Sequence, residues 1–130
     1  MSKVVELTSE NLNEVIDKND IVIVDFWAEW CGPCKSFAPT FEAAADDAAN
    51  DGVVFAKVNT EEQQELGSMF QIRSIPTLLV FKDQVVVFSQ AGALPASGLA
   101  QLVGNAKELD MDMVREQIAA KEKEDAAKTA

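Results

Sequence analysis

The run Ile21-Val22-Ile23-Val24-Asp25-Phe26-Trp27 is apolar at six of its seven positions and β-branched through the first four. A strand with one wet face alternates apolar and polar side chains, whereas a run without alternation belongs to a strand covered on both faces. Helices must then lie above and below it, which restricts the chain to an α/β architecture. Asp25 is the misfit. Buried in such a strand, an isolated carboxylate is costly enough to raise its own pKa, and a group so perturbed can take a proton from a neighbour. The plainer alternative is that strand parity or a local irregularity turns Asp25 to solvent.

The flanking segments supply the covering layers. Thr8 or Ser9 followed by Glu10 offers an N-cap for a short helix carrying Leu12, Val15 and Ile16. From Pro33 to about Asn50 an Ala-rich stretch with Phe37, Phe41, Ala44 and Ala45 reads as a second helix, with Pro33 in its first turn and a kink expected at Pro39. Asp51-Gly52 is a turn, and Val53 to Val58 a second buried strand. Thr60-Glu61-Glu62-Gln63 has capping-box spacing and predicts a helix toward Met69. Thr77 to Phe81 and Val85 to Gln90, joined near Asp83-Gln84, read as an antiparallel hairpin, with Gly92 closing the sheet region. Pro95 opens a helix bearing Leu99, Leu102 and Val103. This order predicts a central mixed β-sheet flanked by helices, in which strands linked through helices run parallel with right-handed crossovers.

After about Ala106 the composition turns to Asp, Glu, Lys, Met and Ala, and only Met111, Val114 and Ile118 keep helical apolar spacing. The expected organisation is a domain over residues 1–108 and a C-terminal helical, partly frayed tail over 109–130. Fraying is expected from Lys121, where no apolar face offsets the ordering entropy. The three apolar residues are expected to dock on the domain or on a partner.

With 130 residues the chain is the size of one domain, and its net charge of −11 supplies no basic footprint for nucleic acid or an anionic membrane. No apolar run approaches the ~18 residues of a membrane span. Glu6 interrupts the N-terminal apolar residues before a secretory segment could form, so a cytoplasmic location is expected.

The two cysteines stand in Trp30-Cys31-Gly32-Pro33-Cys34-Lys35, between the end of the predicted central strand and a helix start. Unpaired N–H groups and partial positive charge at a helix N-terminus stabilise a thiolate, which makes Cys31 the candidate nucleophile. Cys34, three residues on and on the same helix face, is placed to resolve a mixed disulfide. Zinc would need further ligands, and the chain has no His and no second cysteine pair. A c-type haem site would need His where Lys35 stands. Two inert buried thiols remain the bland alternative, against which the tight Gly32-Pro33 turn argues. Asp25 is then the candidate base for the Cys34 proton, directly or through a water. Lys57 could tune Asp25 by ion pairing or simply face solvent. Ile75-Pro76, just before a strand, is a candidate cis peptide that residue type does not decide.

The string Asp25-Phe26-Trp27-Ala28-Glu29-Trp30-Cys31-Gly32-Pro33-Cys34-Lys35, followed by Lys57, Ile75-Pro76-Thr77 and Gly92-Ala93-Leu94, resembles the thioredoxin family over residues 1 to about 108. The resemblance implies a thioredoxin fold and protein-disulfide reduction by Cys31 and Cys34. It implies a cis Pro76 near the cysteines, an apolar client groove of Trp30, Ile75, Gly92 and Ala93, proton transfer by Asp25 with Lys57 beside it, and a reducing potential set by Gly32-Pro33. It further implies no bound cofactor and no metal, and electrons from NADPH through a flavoprotein thioredoxin reductase. The implied clients are disulfide-containing proteins such as ribonucleotide-, peroxide- and methionine-sulfoxide-reducing enzymes, served by a monomer. The chain departs from the family pattern at Asp83-Gln84, which lacks the usual Gly, at Ser74, where Gly is frequent, in having no Tyr, and in the tail. Two rival functions stay open: a binding or chaperone module on the same fold, and a disulfide oxidase or isomerase.

Overall fold

The computed structural model describes residues 3–129, with side chains to residue 126. Five strands, β1 (Val5–Glu6), β2 (Ile21–Trp27), β3 (Val53–Asn59), β4 (Thr77–Lys82) and β5 (Val85–Ala91), form one sheet in the order β1-β3-β2-β4-β5. The run that lacks polar alternation, β2, is central, parallel to β3 and antiparallel to β4. The helices are α1 (Leu12–Lys18), α2 (Gly32–Asp46), α3 (Gln64–Met69), α4 (Ala96–Glu108) and α5 (Met111–Thr129).

The two-residue period of β2 sorts the core into two layers. Val22, Val24 and Phe26 face one way, packing with Leu12 and Ile16 of α1 and Leu66 of α3. Ile21 and Ile23 face the other, packing with Phe37, Phe41 and Ala45 of α2 and Leu99, Val103 and Ala106 of α4. Phe55 joins the second layer edge-to-face with Phe41, at a centroid distance of 5.3 Å.

The elements differ from the sequence reading in several places. Strand β1 went unread because two residues carry no periodic signal. The second helix ends at Asp46, and Ala48–Asn50 is a separate 3-10 turn capped by Asp47, whose side chain accepts from Ala49 N. Helix α2 continues through Pro39, which forgoes one intrahelical bond without ending the helix. The Thr8-Ser9 signal shapes a turn ahead of α1: Thr8 Oγ1 accepts from Glu10 N, and Asn11 occupies the cap position. The expected capping box at Thr60 does not form, because its hydroxyl donates to the Trp27 carbonyl at 3.1 Å. Asn59 instead accepts from Glu61 N, and α3 begins at Gln64.

Asp83 and Gln84 both adopt left-handed backbone, at φ 51° and 68°, as a two-residue turn between twisted strands requires. The turn therefore keeps its geometry without glycine, at a conformational cost. In the tail, Met111 is buried, Val114 is half-buried and Ile118 is exposed. Of the three expected docking residues only the first is fully covered. Helix α5 runs from Met111 to Thr129, and its Glu, Lys and Ala content favours helix beyond Lys121 without an apolar face. Ala130 lies outside the described residues.

Lys82, at the end of β4, is buried and donates to the carbonyls of Ala106, Lys107 and Leu109 at 2.8, 3.1 and 2.9 Å. A cation at the C-terminus of α4 answers both the unpaired carbonyls and the helix dipole. Arg115 of α5 adds an ion pair with Asp83 at 2.8 Å.

Candidate active site

Strand β2 ends at Trp27, and four residues later Cys31 caps α2 from extended backbone. The Cys34 N–H donates to Cys31 Sγ at 3.2 Å, so the sulfur occupies the position an N-cap oxygen would take. The two cysteines are joined as a disulfide with Cα atoms 5.3 Å apart. When that bond is reduced, a Cys31 thiolate at the same place would receive the N–H and the positive end of the helix dipole. Both sulfurs are buried with Ala28, and Trp27 and Ile75 pack against them. Gly32 and Pro33 between them are exposed.

Strand parity places Asp25 on the same side of the sheet as Ile21 and Ile23, toward α2. It is 4% exposed, so the solvent-facing alternative does not hold. Its Oδ1 has no hydrogen-bond partner among the described residues. Burial pushes its pKa from the ordinary 3.8 up to about 7, and the Lys57 charge pulls in the opposite direction. Lys57 is its register partner on β3, and its ammonium lies 5.4 Å from the centroid of the Trp27 ring. Asp25, Trp27, Cys34 and Lys57 share a cavity of about 170 Å³, large enough for water. The internal carboxylate and the second cysteine therefore meet at one small cavity.

Ile75-Pro76 is cis, and the Ile75 carbonyl oxygen lies 3.8 Å from Cys31 Sγ. Beside it an open groove of about 590 Å³ runs between Trp30, Thr60, Gln64, Arg73, Ser74 and Ile75. Of the four residues expected to form a client groove, Trp30 and Ile75 line this one. Gly92 and Ala93 are exposed and do not, although the Gly92 N–H is tied to the Pro76 carbonyl at 2.8 Å. Ser74 stands on the groove rim, so its departure from Gly bears on groove shape.

Glu61 escaped the sequence reading. Its carboxylate accepts from Trp30 Nε1 at 2.8 Å, joining the loop after β3 to the residue before Cys31. The contact spans 31 residues, and nothing in local spacing announces it. Among the described residues no group of three metal-ligating side chains occurs, and no helix is long and apolar enough to cross a membrane.

A paired dithiol at a helix N-terminus, backed by a buried carboxylate and faced by a cis-proline loop, defines a thiol-disulfide oxidoreductase. The thioredoxin family model matches residues 3–105. A Streptomyces coelicolor protein is 52% identical over 119 residues, covering 92% of this chain and 87% of its own. An alignment of that extent reaches past residue 108 into the tail. Thioredoxin of Haemophilus influenzae is 40% identical, covering 79% of this chain and 96% of its own. The structure of Plasmodium falciparum thioredoxin superposes with a TM-score of 0.72 at 38% identity, covering 78% of this chain and 98% of that one. The chain belongs to the thioredoxin family. It is a protein-disulfide reductase that works through Cys31 and Cys34.

Proposed function

We propose that Cys31 is the attacking thiolate, Cys34 the resolving thiol and Asp25 the base that receives the Cys34 proton. The observation that carries this assignment is the hydrogen bond from Cys34 N to Cys31 Sγ at the start of α2. Only Cys31 of the two sulfurs has that stabilisation, whereas Cys34 faces the cavity with Asp25.

The reaction balances as two exchanges. The Cys31 thiolate attacks one sulfur of a client disulfide, and the second client sulfur leaves as a thiolate. Cys34 loses its proton to the ionised Asp25 and attacks Cys31 Sγ in the mixed disulfide. That releases the other client sulfur and leaves the Cys31–Cys34 disulfide. Two electrons pass to the client, and two thiols result there after protonation. A base with pKa about 7 is available in both forms near neutral pH, so it can accept the proton and later return it. Lys57 moderates its pKa through charge. Gly32 and Pro33 set the turn that holds the sulfurs, and thereby the potential. Trp30, Ile75 and cis-Pro76 receive an extended client segment, with Gly92 and Ala93 as a further edge tied to Pro76.

Re-reduction by NADPH through a thioredoxin reductase, a cytoplasmic site of action and a monomeric state complete the proposal, supported by the family. So does the division at residue 108, supported by the family match ending at 105. The test is insulin reduction coupled to NADPH and thioredoxin reductase. Cys31→Ser is expected to abolish turnover, and Cys34→Ser to accumulate a Cys31-linked mixed disulfide visible by mass spectrometry. Accumulation on Cys34 in the Cys31→Ser variant would reverse the assignment.

A further inference from the structure

We propose that Glu61 is a positioning residue for client binding: its carboxylate holds the Trp30 indole as a fixed wall of the groove beside Cys31. The inference rests on the reading that this groove receives the client.

Trp30 is 70% exposed, so packing does little to fix its ring. What holds it is one bond from Nε1 to Glu61 Oε1. The other end of that bond is firmly mounted. The Glu61 N–H donates to Asn59 Oδ1 at 2.9 Å, and Asn59 is buried. Thr60, between them, donates its N–H and its hydroxyl to the Trp27 carbonyl at 2.9 and 3.1 Å. The turn after β3 is thus fastened to the end of β2, the strand that leads into Trp30 and Cys31. Glu61 reaches from that fastened turn to the ring.

A hydrogen bond this exposed adds little to folding, because water competes for both partners. Its consequence is conformational. Untethered, an exposed indole spreads over several rotamers, and a client entering the groove bears the cost of ordering it. Tethered, the ring already borders the groove together with Thr60, Gln64 and Ile75. The benefit should reach clients that occupy the groove and bypass small disulfides that need only the sulfur.

The experiment compares pre-reduced protein reacting with insulin and with 5,5′-dithiobis(2-nitrobenzoate), for the parent, Glu61→Ala, Glu61→Gln and Trp30→Ala. Glu61→Ala is expected to lower the insulin rate constant by about three- to ten-fold and leave the small disulfide within two-fold. Glu61→Gln keeps an acceptor oxygen and is expected to restore most of the insulin rate. If Glu61→Ala is silent while Trp30→Ala is slow with insulin, the tether is refuted and the groove reading stands. If Trp30→Ala is also silent, the groove reading fails first. Glu61→Gln as slow as Glu61→Ala would assign the effect to charge, and a parallel loss with the small disulfide would assign it to the dithiol; either overturns the proposal.

Discussion

Asp25 gives the structure its sharpest energetic signature. In the unfolded chain its carboxyl titrates near 3.8, and in the folded protein burial moves it to about 7. Between those values the folded state keeps a proton that the unfolded state releases, so unfolding is increasingly favoured as pH rises. The stability associated with this group is fully present below about pH 4, declines through the interval and is lost above about 7. A rise of about three pH units, at about 1.4 kcal/mol per unit, amounts to about 4 kcal/mol. Asp25→Ala removes the titration and adds a loss of packing that does not depend on pH. The oxidised parent and variant would be unfolded in guanidinium at intervals from pH 4 to pH 9, with the difference in unfolding free energy plotted against pH. The expected result is a difference that shifts by about 4 kcal/mol in favour of Asp25→Ala from pH 4 to pH 8 and then levels. Parallel curves would refute the reasoning, since they would mean that Asp25 ionises in the folded protein as it does in water. In the reduced protein the same variant should slow resolution of the mixed disulfide.

Two further predictions concern stability away from the dithiol. Gln84 sits in left-handed backbone that disfavours a side chain, so Gln84→Gly should stabilise by about 1 kcal/mol and raise Tm by about 3–5 °C; an unchanged Tm in calorimetry would contradict the strain argument. Lys82→Met leaves three carbonyls at the α4–α5 junction without their donor, and should cost about 2–4 kcal/mol in denaturant titration with insulin reduction below the transition unchanged. A loss under 1 kcal/mol would show that water replaces the ammonium there.

What the sequence made legible follows from where each signal resides. The β2 run named its own central position because a doubly covered strand is a local property of seven residues. The cysteine pair was legible for the same reason, since spacing, turn and helix start are contiguous. Asp25 stood out as a polar residue in an apolar run. Its facing came from parity, and its cavity came from α2 and β3. The cap was misread: the Thr60 hydroxyl binds the Trp27 carbonyl, Asn59 accepts from the N–H groups of Glu61 and Glu62 in the turn that follows β3, and α3 starts at Gln64 without a side-chain cap. Glu61 and Lys82 were invisible as functional groups. Their partners, Trp30 and the α4–α5 junction, are far along the chain, and charged residues there resemble any solvated surface.

The two ends of β2 answer opposite demands. At the Trp27 end the chain keeps a buried carboxylate whose Oδ1 has no hydrogen-bond partner among the described residues, a largely exposed indole and a disulfide at a helix start, the groups to which the proposed exchange assigns roles. At the Ile21 end, paired in register with Lys82, the side-chain contacts are stabilising: the ammonium closes α4, and Arg115 ties α5 to the β4–β5 turn. Seven strand residues at about 3.3 Å each separate the ends by roughly 20 Å. Asp25 itself lies four residues, roughly 13 Å, from Ile21, beyond the distance at which substitutions with no shared partner usually couple. The reactive end can therefore keep a buried carboxylate and a dithiol while the far end supplies stability, and substitutions at one should leave the other's property nearly additive.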